Sequence, residues 1–164
     1  MPSTPTLPLS TTDRIEKQIV LDVPRERVWR ALTDVKQFNQ WFGAALTSPF
    51  VPGTEVTGNL TVRNYEHVQM HLWIEAMEPD RYLAFRWHPY AIEPDVDYSA
   101  EPTTLVTFTL EDVRDGTQLT IVESGFDAIP ESRRQAAFTS NSKGWTGQAE
   151  NIRKFLAAHA EERA

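Results

Sequence analysis

Between Asp127 and His159 the spacing of residues predicts a long helix with one greasy side. Trp145, Ala149, Ile152, Leu156 and His159 recur at steps of four, three, four and three, and Phe138 stands one heptad before Trp145. That stripe is the mark of an amphipathic helix, with Arg134, Lys143, Glu150, Arg153 and Lys154 left for water. Asp127 is placed to accept from the first free amides, and Pro130 is tolerated in a first turn. Ser140, Ser142, Gly144 and Gly147 weaken the middle, because glycine costs about 1 kcal/mol relative to alanine in a helix. The expectation is a weak or kinked first half and a firm second half. A rod with one apolar face needs a layer to lie on, and the rest of the chain must supply it.

Upstream, the apolar period is two in most places. Residues 1–12 carry Pro2, Pro5 and Pro8 among Ser and Thr and read as a disordered tail. Ile15 to Val23 reads as a strand. Asp22 and Pro24 signal a helix start, and Val28, Trp29, Ala31 and Leu32 give that helix an apolar side. Asp34 with Gln37 has the form of a capping box for a second short helix, which buries Val35, Phe38, Trp41 and Phe42 and stops at Gly43. Val56, Leu60 and Val62 then share one face, with Gly58 between them. Val68, Met70, Leu72, Ile74 and Ala76 form the longest alternation. Leu83, Phe85 and Trp87 follow a Glu78-Pro79-Asp80 turn, and Val106, Phe108 and Leu110 follow a loop. Leu119, Ile121 and Glu123 line the last strand. Strand, two short helices, a run of about six strands and one long helix make an α+β domain with a mostly antiparallel sheet of six or seven strands. One domain spans residues 13–159, and 160–164 form a short tail.

Composition narrows the function classes. With no cysteine, disulfides, thiolate nucleophiles and cysteine-bound zinc or iron–sulfur sites are excluded together. A formal net charge of −7 offers no basic stripe to nucleic acid or anionic lipid. No apolar run reaches the roughly 20 residues needed to span a bilayer, and the N-terminus has no signal-peptide pattern. A cytoplasmic location is expected, with no cofactor and no metal. His67 and His71 share a strand face about 13 Å apart, too far to chelate one ion. Asp95, Asp97 and Ser99 imitate a calcium loop, but Ala100 and Val106 occupy the glycine and glutamate positions that loop requires.

The order of elements, with Val28-Trp29-Arg30-Ala31-Leu32-Thr33, Gln40-Trp41-Phe42-Gly43, Leu83-Ala84-Phe85-Arg86-Trp87, Ser124-Gly125-Phe126 and Gly144-Trp145, resembles the START/Bet v 1-like (SRPBCC) superfamily. Within it the chain is similar to the branch related to the C-terminal domain of the Hsp90 ATPase activator. The resemblance implies a helix-grip fold, a curved sheet wrapped around the C-terminal helix, and no shared catalytic residue set. It also implies a small hydrophobic ligand held between sheet and helix. The alternatives it implies are a chaperone-linked or stress-response interaction module, or an enzyme in the same cavity.

On period and parity, the expected cavity walls are Met70, Leu72, Phe85, Trp87, Phe108, Ile121, Phe138 and Trp145. Each of these residue types is also ordinary core material. Glu123 continues the inward face of Leu119 and Ile121, so a buried carboxylate is one reading and a solvated strand end at the rim is the favoured one. Acid/base chemistry would require Glu123 to meet His67, His71 or His88. Trp73 and Tyr82 fall on the outward parity. The stretch from Pro89 to Pro102 is long for a hairpin loop and reads as a solvated excursion, with covering one mouth of the cavity as the alternative.

Overall fold

The computed structural model describes residues 13–159, so the expected tails at 1–12 and 160–164 lie outside the described residues. Strand β1 (Arg14–Leu21) runs into helix α1 (Arg25–Thr33) through Asp22-Val23-Pro24. Helix α2 (Val35–Phe42) follows after a single residue, Asp34, whose Oδ1 accepts from the amides of Lys36 and Gln37. The reciprocal half of the capping box is missing, because the Gln37 side chain accepts instead from Arg27 Nη1 at 2.8 Å. Gly43 closes α2 in a left-handed conformation, φ 88°, where a side chain would be strained.

Five strands then follow: β2 (Glu55–Asn59), β3 (Gln69–Glu78), β4 (Tyr82–Trp87), β5 (Thr104–Val113) and β6 (Gly116–Ser124). With β1 they form one six-stranded sheet in the order β1-β6-β5-β4-β3-β2, antiparallel at every pairing. A register shift between Ile74 and Ala76 marks an irregularity on β3, the kind of feature that bends and twists a strand. Strand β2 is shorter than the alternation suggested. It ends at Asn59, Leu60 lies outside the strand in an isolated bridge to Ala44 with its amide donating to the Val68 carbonyl, and Val62 is exposed. Gly58 explains the local crowding: a Cβ there would lie 2.2 Å from the Ala45 carbonyl oxygen.

Helix α3 (Glu131–Ala158) is a single unbroken helix, entered through a short 3₁₀ turn at Phe126–Ala128. Asp127 belongs to that turn, and the residue preceding the helix proper is Pro130. The turn is tied down by Asp13, whose carboxylate accepts from the amides of Gly125 and Asp127. No break occurs at Ser140–Gly147, because burying the stripe outweighs local propensity. Trp145, Ala149, Ile152 and Leu156 are buried as their spacing implies, joined by Ala137 and Phe155.

The core lies between the inward face of the sheet and the three helices. Val28, Leu32 and Phe38 from α1 and α2 meet Leu72, Phe85, Phe108 and Leu119 from the sheet, and Ile152 from α3, all fully buried. Two polar contacts align the helices. Trp41 Nε1 donates to the Ala31 carbonyl at 2.8 Å, and Gln148 Nε2 donates to the Phe42 carbonyl at 3.0 Å.

Candidate functional site

The sheet and α3 do not close completely on one another. A cleft of about 700 Å³ opens beside the middle of α3, bounded by β3, the end of β4 and the segment from His88 to Ser99. Phe42, Met70, Trp87 and Trp145 form its inner wall, and Ser140, Asn141 and Gly144 present the helix side. Of the small residues that weaken α3 on paper, Ser140 and Gly144 face this space, and a Cβ added at Gly144 meets no atom within 4 Å. The lining takes in both parities of β3: Met70 faces the core, while His71 and Trp73 face the other way.

The inner wall rests on one buried carboxylate. Glu123, 0 % exposed, accepts from Trp87 Nε1 (2.7 Å) and Thr104 Oγ1 (2.6 Å) through Oε2 and from Trp145 Nε1 (2.8 Å) through Oε1. Asn141 Nδ2 donates to both oxygens, at 3.0 and 3.2 Å. The two indoles are nearly stacked, with centroids 5.7 Å apart at 29°, and Glu123 holds both through their N–H edges. Strand register explains the placement: Trp87 pairs with Thr104 on β5, and Glu123 pairs with Val106 two residues further along. Burial pushes the Glu123 pKa above its ordinary 4.5, and the four donors pull against that shift without cancelling it. Indole and amide N–H groups can only donate, so they favour the ionised form, whereas Thr104 can take the proton of the neutral form.

The expected solvated rim position of Glu123 is therefore incorrect. Strand β6 continues to Ser124 and is paired on both sides there, so period two carries Glu123 fully inside. The proposed meeting with a histidine does not occur either, since none of its hydrogen-bond partners is a histidine. His67 Nε2 bonds to the Ile92 carbonyl, His71 Nδ1 to Glu55, and His88 Nε2 to the Glu101 carbonyl. Among the described residues no cluster of three or more metal-ligating side chains is present.

Of the other residues read as cavity walls, Met70, Trp87 and Trp145 line the cleft. Leu72, Phe85, Phe108 and Ile121 lie deeper, in solid core against one another and the helices. Phe138 turns toward Phe126, ring centroids 5.3 Å apart, and packs away from the opening. Parity identifies which face is buried but not how far along a strand the packing stays dense, which is why these five could not be told from the wall.

The segment from Pro89 to Pro102 is not a free excursion. Tyr90, Ile92 and Tyr98 line the cleft, and Arg133 of α3 anchors the segment. Its guanidinium donates to the Pro89 and Tyr90 carbonyls (2.9 and 3.3 Å), pairs with Glu101 at 2.7 Å and lies 4.8 Å from the Tyr98 ring centroid. Sequence reasoning missed Arg133, Asn141 and Thr104. Thr104 had a signal, because it continues the inward face of Val106 and Phe108. Trp73, assigned outward, stacks on His71, meets His88 edge-on and lines the cleft.

No curated protein sequence matches the chain significantly. Solved structures share its fold at low identity. Protein MLL2253 from Mesorhizobium loti superposes with a TM-score of 0.71 at 22% identity, over 89% of this chain and 98% of that one. The Aha1 dimer from Colwellia psychrerythraea gives 0.66 at 15% identity, over 87% and 95%. DynU16, described as a putative protein in the dynemicin biosynthetic locus, gives 0.68 at 23% identity over 88% of this chain. The present chain spans about half of DynU16, 47% of its length. Among the described residues no helix is long and apolar enough to cross a membrane. The family model for the Activator of Hsp90 ATPase homolog 1-like protein matches residues 22–157, and the chain belongs to that family.

Proposed function

We propose that this protein binds a hydrophobic or amphipathic small molecule in the cleft between the sheet, the middle of α3 and the 89–102 segment. The observation that carries this reading is the unfilled volume of about 700 Å³ against Trp87 and Trp145. That volume is in the range of drug-sized ligand sites, and its walls combine aromatic rings with a few polar groups. Val62, Tyr65 and Val96, which are exposed and apolar, also line it. Apolar surface left uncovered at the opening is what a ligand would shield. A chaperone partner, the alternative suggested by the family, would call for an apolar face separate from the cleft. The cysteine-free composition fits a reducing compartment, and we place this function in the cytoplasm.

Native mass spectrometry of protein purified from its own host tests the reading. The expected result is a co-purified small molecule, lost from a Gly144→Leu variant whose new side chain enters the cleft. The neutral dye Nile red should also compete with that molecule and perturb tryptophan emission. Absence of any adduct, together with no dye binding, would remove the reading.

A further inference from the structure

The charge of the cleft is lopsided. Glu55, Glu93 and Asp97 are among its lining residues, and no lysine or arginine is. Glu123 lies directly behind the Trp87–Trp145 pair, where burial favours its neutral form, so the charge of the cleft comes from the lining carboxylates. Asp97 is held ionised, because the Ser99 amide donates to its Oδ1 at 2.9 Å and keeps its pKa below the usual carboxylate value.

The cation that reaches the covering segment, Arg133, is already committed. Arg133 approaches Tyr98 but is paired with Glu101 and bonded to two carbonyls of the covering segment. His71 is bonded to Glu55 at 2.6 Å, so that carboxylate has a partner, which leaves Glu93 and Asp97 to set the charge of the outer part. His67 and His88 each spend Nε2 on a backbone carbonyl, of Ile92 and Glu101 respectively.

The aromatic lining has a matching polarity. Phe42, Trp73, Trp87, Tyr90, Tyr98 and Trp145 all contribute to it. An aromatic face carries negative potential and attracts ammonium groups, most strongly for tryptophan. Both inner indoles spend their N–H groups on Glu123, so neither N–H is left to receive an anionic or carbonyl head group in the cleft.

Resting on the binding reading above, we propose that the ligand is cationic: a small amphiphile with an apolar body and an amine or quaternary ammonium head. The apolar body lies against Phe42, Met70, Trp87 and Trp145. The head lies toward Tyr90, Tyr98, Glu93 and Asp97 on the covering segment. An anionic amphiphile of the same length is disfavoured by the carboxylates and finds no lining lysine or arginine.

The test compares three probes with one tail, decyltrimethylammonium, 1-decanol and decyl sulfate, each titrated below its micelle concentration into the full chain. Tryptophan fluorescence and calorimetry report binding. The ammonium compound should bind about tenfold tighter than the alcohol, on the order expected for a cation–π contact with partial desolvation, and the sulfate should bind weakest. A Glu93→Gln/Asp97→Asn variant changes two exposed side chains, and circular dichroism should show an unchanged fold. It should lose several-fold in ammonium affinity while keeping its affinity for decanol. If the alcohol or sulfate equals or exceeds the ammonium, or if the double variant keeps full ammonium affinity, the cationic assignment fails while the binding site stands. If none of the three binds while Nile red does, the cationic assignment fails and the binding site stands; if Nile red also fails and no adduct co-purifies, the binding reading fails with it.

Discussion

At the scale of a residue, Glu123 has the largest influence on the site. A carboxylate buried among aromatic rings accepts from two indoles, a hydroxyl and an amide, so it fixes the wall of the cleft while contributing no apolar surface. Replacing it with glutamine places an NH₂ group where donors already point, and at least one N–H is left unpaired away from water. Glu123→Gln should therefore lower stability by about 1–3 kcal/mol. Trp87 and Trp145 should loosen with it, which near-ultraviolet circular dichroism would detect. The pH dependence has a definite sign. Since burial raises the folded-state pKa above 4.5, the folded protein holds this proton more tightly than the unfolded chain does. The Glu123 contribution is then fully present below pH 4.5 and declines as pH rises through the folded-state value. Glutamine does not titrate, so the stability gap between wild type and Glu123→Gln should be widest below pH 4.5 and narrower at neutral pH. Urea unfolding of both proteins at the two pH values checks this, and a gap that widens with pH would contradict it.

At the scale of an element, α3 is a compromise between helix strength and space. Gly144 and Gly147 both stand where a Cβ meets nothing within 4 Å, and of the two only Gly144 lines the cleft. Changing either to alanine should stabilise the protein by up to about 1 kcal/mol through helix propensity alone. Only the Gly144 position should also affect ligand binding, through larger side chains such as leucine. Thermal unfolding alongside dye titration separates the two effects, and a Gly147→Ala variant that lost binding would show that the cleft has been misplaced. The covering segment depends on the same helix. Tyr90 has a positive φ of 54°, an uncommon conformation for a bulky residue, and Arg133 donates to its own carbonyl and to that of Pro89 before it. Arg133→Ala should raise amide exchange across residues 89–102 by an order of magnitude or more while leaving the central strands β4, β5 and β6 protected. Unchanged exchange in that segment would show that other contacts hold it.

At the scale of the whole molecule, the sheet is dense where helices cover it and open where they do not. Phe85 and Phe108 are fully buried, 6.0 Å apart, in the part that packs solidly. Phe108→Ala should cost about 3–5 kcal/mol, as expected for a large cavity in a packed core. Met70→Ala, at the cleft wall, should cost less than Phe108→Ala, because one side already adjoins space. Denaturant midpoints for the two variants give the comparison, and equal losses would argue that the cleft is closed in solution. The short approach between Gly58 and Ala45 ties the β2 edge to the segment after α2, so Gly58→Ala should destabilise that edge through direct contact with backbone.

Much of this architecture follows from local periodicity. Steps of three and four placed the buried stripe of α3, and alternation placed the inward residues of β3, β5 and β6, because a side chain's direction depends only on the helix or strand it belongs to. The same parity pointed Glu123 inward, and it was the strand's length and double pairing that decided it lay beyond reach of solvent. Which inward residues met dense core and which met open space depended on where three helices came to rest over one sheet. Leu72 and Met70 have the same pattern in sequence and different surroundings in the fold. The meeting of Trp87, Thr104, Glu123, Asn141 and Trp145 joins three strands and a helix, and the anchoring of residues 89–102 by Arg133 spans more than thirty positions. Neither leaves a local pattern, because hydrogen bonds between distant segments form only after the chain has brought those segments together.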